Sequence, residues 1–129
     1  MNKNWLIIAG ISGFTGVALG AFGAHGFKDT LSPEMLEIYK TGVLYHLIHS
    51  VVLLALSMIP GNSLDFSRWF IFAGIIFFSF SLYLYSVTGI AFIAYFTPFG
   101  GVCFLIGWLS LPVVAFRAKS DIGSPRIRG

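Results

Sequence analysis

Charge is what this sequence has least of. Among 129 residues, 8 are Lys or Arg and 5 are Asp or Glu, a charged fraction of 10%. A soluble globular domain carries about 25%. The deficit excludes an ordinary soluble fold, a disordered chain and a charged coiled coil. Cysteine is nearly absent as well. The single Cys103 cannot close an intrachain disulfide or form a dithiol redox pair, and it reads as a small apolar packing residue. All five acids, Asp29, Glu34, Glu37, Asp65 and Asp121, fall in expected loops or helix ends. No embedded carboxylate is left to couple proton transport or to complete a metal shell. No Ser–His pair has an orienting carboxylate, which weakens nucleophilic catalysis. The basic residues are too few and too scattered for a phosphate-tracking patch, so nucleic acid is not an expected partner.

What is present is apolar length. Hydrophobic residues make up 57% of the chain and aromatics 17%. Residues 4–27, 41–64 and 69–116 contain no charged side chain. A spanning helix needs about 20 apolar residues. The first two runs each fit one crossing, and the third must fold back once, with Val87–Thr97 as the break. The runs are continuous rather than alternating, which favours helices over a barrel. The fold class expected is all-α, a bundle of four transmembrane helices near 5–24, 42–59, 69–86 and 98–116. Residues 1–116 form one domain, with the lipid bilayer as its partner, and 117–129 form a polar, disordered tail. A cleaved signal peptide is disfavoured, because the first run is longer and richer in glycine than a signal core. Six basic residues, Lys3, Arg68, Arg117, Lys119, Arg126 and Arg128, face two, Lys28 and Lys40, across the four spans. Basic loops stay inside, so both termini are expected in the cytoplasm of a bacterium, with the chain in its inner membrane.

The first span is rich in glycine. Gly13, Gly16, Gly20 and Gly23 fall within an arc of about 80° on a helix of 3.6 residues per turn. Small residues on one face let a neighbouring backbone approach closely, so this stripe is a packing surface within the chain or between copies in a homo-oligomer. Gly100, Gly101 and Gly107 give the fourth span a similar face. Ser32-Pro33 reads as a helix cap and first residue, with Glu34 and Glu37 suited to the first turns, so the second helix starts near residue 33. Thr97-Pro98 reads the same way. The aromatics of the third span are expected to face lipid or its interface.

The second span carries the candidate chemistry. Tyr39, Gly42, His46 and His49 share a face, and an ionisable side chain within a span is a functional candidate by default. Counted from Gly42, the two histidines lie about 6 and 10 Å into the span. His25 ends the first helix on the same side, so the three histidines are expected to converge. They are the metal candidates, since imidazole suits zinc, copper or iron. Haem between His25 and one helix-2 histidine, or proton transfer, are alternatives. In the plainest reading, the histidines hydrogen-bond to carbonyls, Tyr45, Ser79 or Ser81 and fix packing. No cofactor is specified by these residues.

Several segments together resemble a known family. They are Gly20-Ala21-Phe22-Gly23-Ala24-His25-Gly26, then Tyr39, Thr41, Gly42, Tyr45, His46 and His49. Phe78-Ser79-Phe80-Ser81-Leu82-Tyr83 follows, and Thr97-Pro98-Phe99-Gly100-Gly101 with Gly107-Trp108 completes the set. The family is the YgdD/YwdK family of small bacterial inner-membrane proteins of unknown function. The likeness runs from about Gly10 to Phe116, with Phe80 standing where the family commonly has glycine. It implies four spans and no known reaction, substrate or cofactor, and it puts His25, His46 and His49 in signature segments. The function expected is a non-enzymatic binding or assembly module with a small polar pocket at His25, His46, His49, Tyr45, Ser79 and Ser81. A histidine-based redox or proton-transfer protein, or a small oligomeric transporter, are the alternatives.

Overall fold

The computed structural model describes the backbone through residue 122 and the side chains through residue 119. The elements in order are α1 (Lys3–Gly26), α2 (Pro33–Ser57), α3 (Asp65–Gly74), a π-helical turn (Ile75–Ser79), α4 (Phe80–Thr88), α5 (Ala91–Ala94) and α6 (Phe96–Ile122). No strand occurs among the described residues. Four stretches are long and apolar enough to cross a membrane: Lys3–Gly26, Pro33–Ser57, Asp65–Thr88 and Ala91–Lys119.

Local chemistry sets the ends. The Asn2 side chain accepts from the Trp5 amide at 3.3 Å. Ser32 Oγ accepts from the Met35 amide at 3.2 Å, ahead of Pro33. Both caps satisfy amides that have no partner within the helix. Gly89 ends α4 at φ 67°, a left-handed conformation that costs glycine nothing.

The boundaries depart from the sequence reading in three places. The third span opens at Asp65 instead of residue 69, with the acid in the favourable first turn. That draws Arg68, counted above as a loop cation, inside the helix. α6 opens at Phe96, so Pro98 sits in its first turn, where no amide is required. Thr97 does not cap it, and its hydroxyl pairs with Ser81 Oγ at 2.7 Å. α6 also runs past the expected end at 116, because no glycine or proline interrupts residues 117–122. The first half of the supposed disordered tail is therefore helical, and the remainder, 123–129, lies outside the described residues.

The packing order follows the chain. α1 lies along α2, α2 lies against the third span, and α6 lies against α3 and the π turn. The buried core is Trp5, Ala9, Leu53, Ile71, Ile75 and Phe104. Glycines make the closest approaches. Gly16, Gly20 and Gly23 face Leu47, Val43 and Tyr39 of α2, while Gly13 faces open space. Gly100 lets α6 rest on the backbone of the π turn at Phe77 and Phe78, where a Cβ would collide. Gly107 faces Ile71, and Gly101 meets only Phe78 Cδ2, at 4.0 Å from an added Cβ. The third-span aromatics divide. Trp69 and Phe77 are exposed, whereas Tyr83 is buried against α2.

One end of the bundle is tied by a buried cation. Arg68 has no exposed surface. Its Nη2 donates to the Leu56 and Ile59 carbonyls at 2.8 and 2.7 Å. Its Nη1 donates to the Gly61 carbonyl at 3.0 Å and to Asp65 Oδ1 at 2.7 Å. The guanidinium thus caps the C-terminal carbonyls of α2, where positive charge is favoured. Asp65 Oδ1 also accepts from Trp5 Nε1 at 3.2 Å, and Trp5 packs edge-on to Trp69 with centroids 5.0 Å apart. α1 is pinned to the third span here.

Candidate functional site: an intramembrane cleft at His46

Beyond the Trp5 contact, α1 and the third span part. Between them lies a cleft of about 310 Å³, lined by Ile8, Ile11, Ser12, Thr15, His46, Phe72, Ile75, Ile76 and Phe80. Ile11 and Ile76 are exposed, so the cleft opens sideways toward the bilayer. Its floor is His46, which is 1% exposed. His46 lies 13 residues into α2, roughly 20 Å from its start at 1.5 Å per residue, near mid-span.

The two helix-2 histidines belong to separate networks. His46 Nδ1 lies 2.9 Å from the Tyr83 hydroxyl, and Nε2 lies 3.4 Å from Thr15 Oγ1. His49 turns the other way. Its Nδ1 donates to the Tyr45 carbonyl at 2.7 Å, and its Nε2 accepts from Trp108 Nε1 at 3.1 Å. A carbonyl only accepts and an indole N–H only donates, so His49 is neutral with its proton on Nδ1. Its ring also stacks on Phe104 at a centroid distance of 3.7 Å.

The expected three-histidine cluster does not form. His25 is exposed at the end of α1, and no group of three or more His, Cys, Asp or Glu able to hold a metal occurs among the described residues. The cause is angular. Residues i and i+3 differ by about 60° around a helix, enough to send His46 toward α1 and α4 and His49 toward α6. Tyr45 contributes its carbonyl and a ring packed on Phe78, 4.5 Å between centroids. Ser81 bonds to the Phe78 carbonyl and Thr97, not to a histidine. Ser79 Oγ is buried with no partner. Of the residues that hold the histidines, Tyr45 is an expected one, through its carbonyl on His49, whereas Thr15, Tyr83 and Trp108 are not among the candidates. Their signal was the placement of lone polar groups on apolar helices, with Ser12 and Thr15 at i and i+3 on α1.

A family model described as a protein of unknown function, DUF423, matches residues 19–101. The chain belongs to this family. The UPF0382 membrane protein YwdK of Bacillus subtilis is 38% identical over 120 residues, covering 89% of this chain and 98% of the relative. A UPF0382 membrane protein of Haemophilus influenzae is 41% identical over 125 residues, covering 93% and 99%. The UPF0382 membrane protein SAB0533 of Staphylococcus aureus is 37% identical over 118 residues, covering 89% and 97%. No solved structure matches the chain. This DUF423 protein is a multi-pass membrane protein, and its family has no assigned activity. The matched stretch includes all three histidines, with His46 alone at the cleft floor.

Proposed function

We propose that this DUF423 protein is a non-enzymatic binding module of the bacterial inner membrane, and that the cleft at His46 is its binding site. The observation that carries the reading is a buried imidazole at the floor of an apolar cleft that opens to lipid. A ligand site is characteristically apolar with a few placed polar groups, and an ionisable group at mid-span is expensive to keep. With Arg68 buried, Lys3, Arg117, Lys119, Arg126 and Arg128 still outnumber Lys28 and Lys40. That balance supports both termini in the cytoplasm. A haem or metal reading finds less support, because His49 uses both ring nitrogens on protein partners.

Native mass spectrometry of protein extracted directly from its membrane tests the proposal. Wild type is expected to retain a small lipophilic molecule. Ile76→Trp, which fills the cleft without touching the His46 bonds, is expected to lose it. Identical spectra for the two proteins would sink the reading.

A further inference from the structure

The polarity of the cleft can be followed bond by bond. Ser50 gives its proton to the His46 carbonyl at 2.7 Å, so the proton in its 2.6 Å pair with Ser12 comes from Ser12. Thr15 gives its proton to the carbonyls of Ile11 and Ser12, each at 3.0 Å. This is the usual back-bonding of a hydroxyl within a helix. Neither Ser12 nor Thr15 has a proton left for a guest. Thr15 can then only accept from His46, so Nε2 carries the imidazole hydrogen and Nδ1 accepts from Tyr83. The bond from Nε2 to Thr15, at 3.4 Å, exceeds the usual 2.7–3.2 Å for N–H···O. The Ser12 carbonyl shares this N–H with Thr15, so the floor of the cleft, lined also by Phe72 and Phe80, holds one N–H divided between acceptors and held by a long bond.

We infer that the cleft takes the ring of a membrane-soluble carbonyl compound, a quinone-type head whose oxygen accepts from His46 Nε2–H while its apolar remainder stays in the lipid. The inference rests on the reading of the cleft as a binding site and names its ligand class. Size agrees. About 310 Å³ is at the small end of ligand pockets, roughly 300 to 1,000 Å³, and suits a single ring system rather than a two-chain lipid. The aromatic side chains supply faces for a flat ring.

The test is partition of two probes into nanodiscs carrying the full chain. Menadione and 2-methylnaphthalene share a fused ring, and only menadione has carbonyls. Wild type is expected to hold menadione about three- to tenfold more tightly, the worth of one net hydrogen bond. Thr15→Val, which removes one of the two competing acceptors and leaves the Ser12 carbonyl, is expected to widen that preference, and His46→Phe to erase it. Should His46→Phe fail to fold, imidazole ¹⁵N spectra of the wild type give the same answer. Menadione should shift the Nε2 resonance of His46 and leave His49 in place. Equal retention of both probes would overturn the carbonyl class while leaving the cleft as a binding site. Retention of neither, with a different lipophile lost from Ile76→Trp, would do the same. Retention of neither probe, with no lipophile lost, would overturn both readings.

Discussion

Trp108 donates its indole N–H to Nε2 of His49 at 3.1 Å, joining α6 to α2 inside the membrane. Trp108→Phe keeps the aromatic bulk and leaves that nitrogen without a donor. An unsatisfied buried polar group costs about 1–3 kcal/mol. The expected result is a clear drop in thermal midpoint in detergent. His49→Phe combined with Trp108→Phe should lose less than the sum of the two single changes, because the pair is then apolar on both sides. Additive losses would show that the bond contributes nothing.

Arg68 is expected to be the costliest single side chain to remove. Arg68→Met leaves the Leu56, Ile59 and Gly61 carbonyls and Asp65 without their donor. Each buried carbonyl left without a donor costs about 1–3 kcal/mol, and Asp65, 36% exposed, adds less because water can reach it. Arg68→Lys should rescue little, since a point charge cannot reproduce a planar fork of donors. Folded yield and thermal midpoint, measured beside Asp65→Asn as a milder change, check this order.

Neighbouring glycines should respond in opposite ways. Gly100→Ala drives a Cβ into the backbone of Phe77 and Phe78 and should cost about 1–3 kcal/mol through overpacking. Gly101→Ala meets only Phe78 Cδ2 at 4.0 Å and should be close to neutral. Equal midpoints for the two variants would refute the contact between α6 and the π turn.

The helix-1 glycines separate internal packing from self-association. A Cβ at Gly16 would lie 2.8 Å from Leu47 Cδ2, so Gly16→Leu should destabilise the single chain. Gly13 has nothing within 4 Å, and Gly13→Leu should leave the midpoint unchanged. A change in native mass for Gly13→Leu would place a second copy on that face.

Ser79→Ala should be neutral or stabilising, because the hydroxyl is buried with no partner and its removal relieves an unmet desolvation cost. A fall in midpoint would mean that Ser79 makes a bond absent from the structure described above.

The four crossings were legible because gaps between charges match the thickness of a bilayer. The site was legible only in part. His46 and His49 stood out as ionisable groups in an apolar run, but a shared helix face does not say which neighbour each one meets. The answer depends on α1 lying along α2 while Phe104 and Trp108 reach His49 from α6, which itself rests on α3 and the π turn. Arg68 was misplaced because positive charge near a span end reads as a loop signal, whereas here the exposed carbonyls of α2 draw it inward. The π turn at Ile75–Ser79 has no residue signature. It is recognised by its bonding pattern and by the backbone contact that Gly100 permits.

The cap that Arg68 places on α2 also has a consequence in time. Its donors belong to the second helical hairpin and three of its acceptors to the first hairpin or the turn after it. Synthesis delivers the first hairpin with its carbonyls still uncovered, and the arginine follows with the third span. Neither hairpin is complete by itself: the first alone carries bare carbonyls, and the second alone holds an arginine with only Asp65 to pair with. The contact that holds the finished bundle together therefore forms only once both hairpins are present.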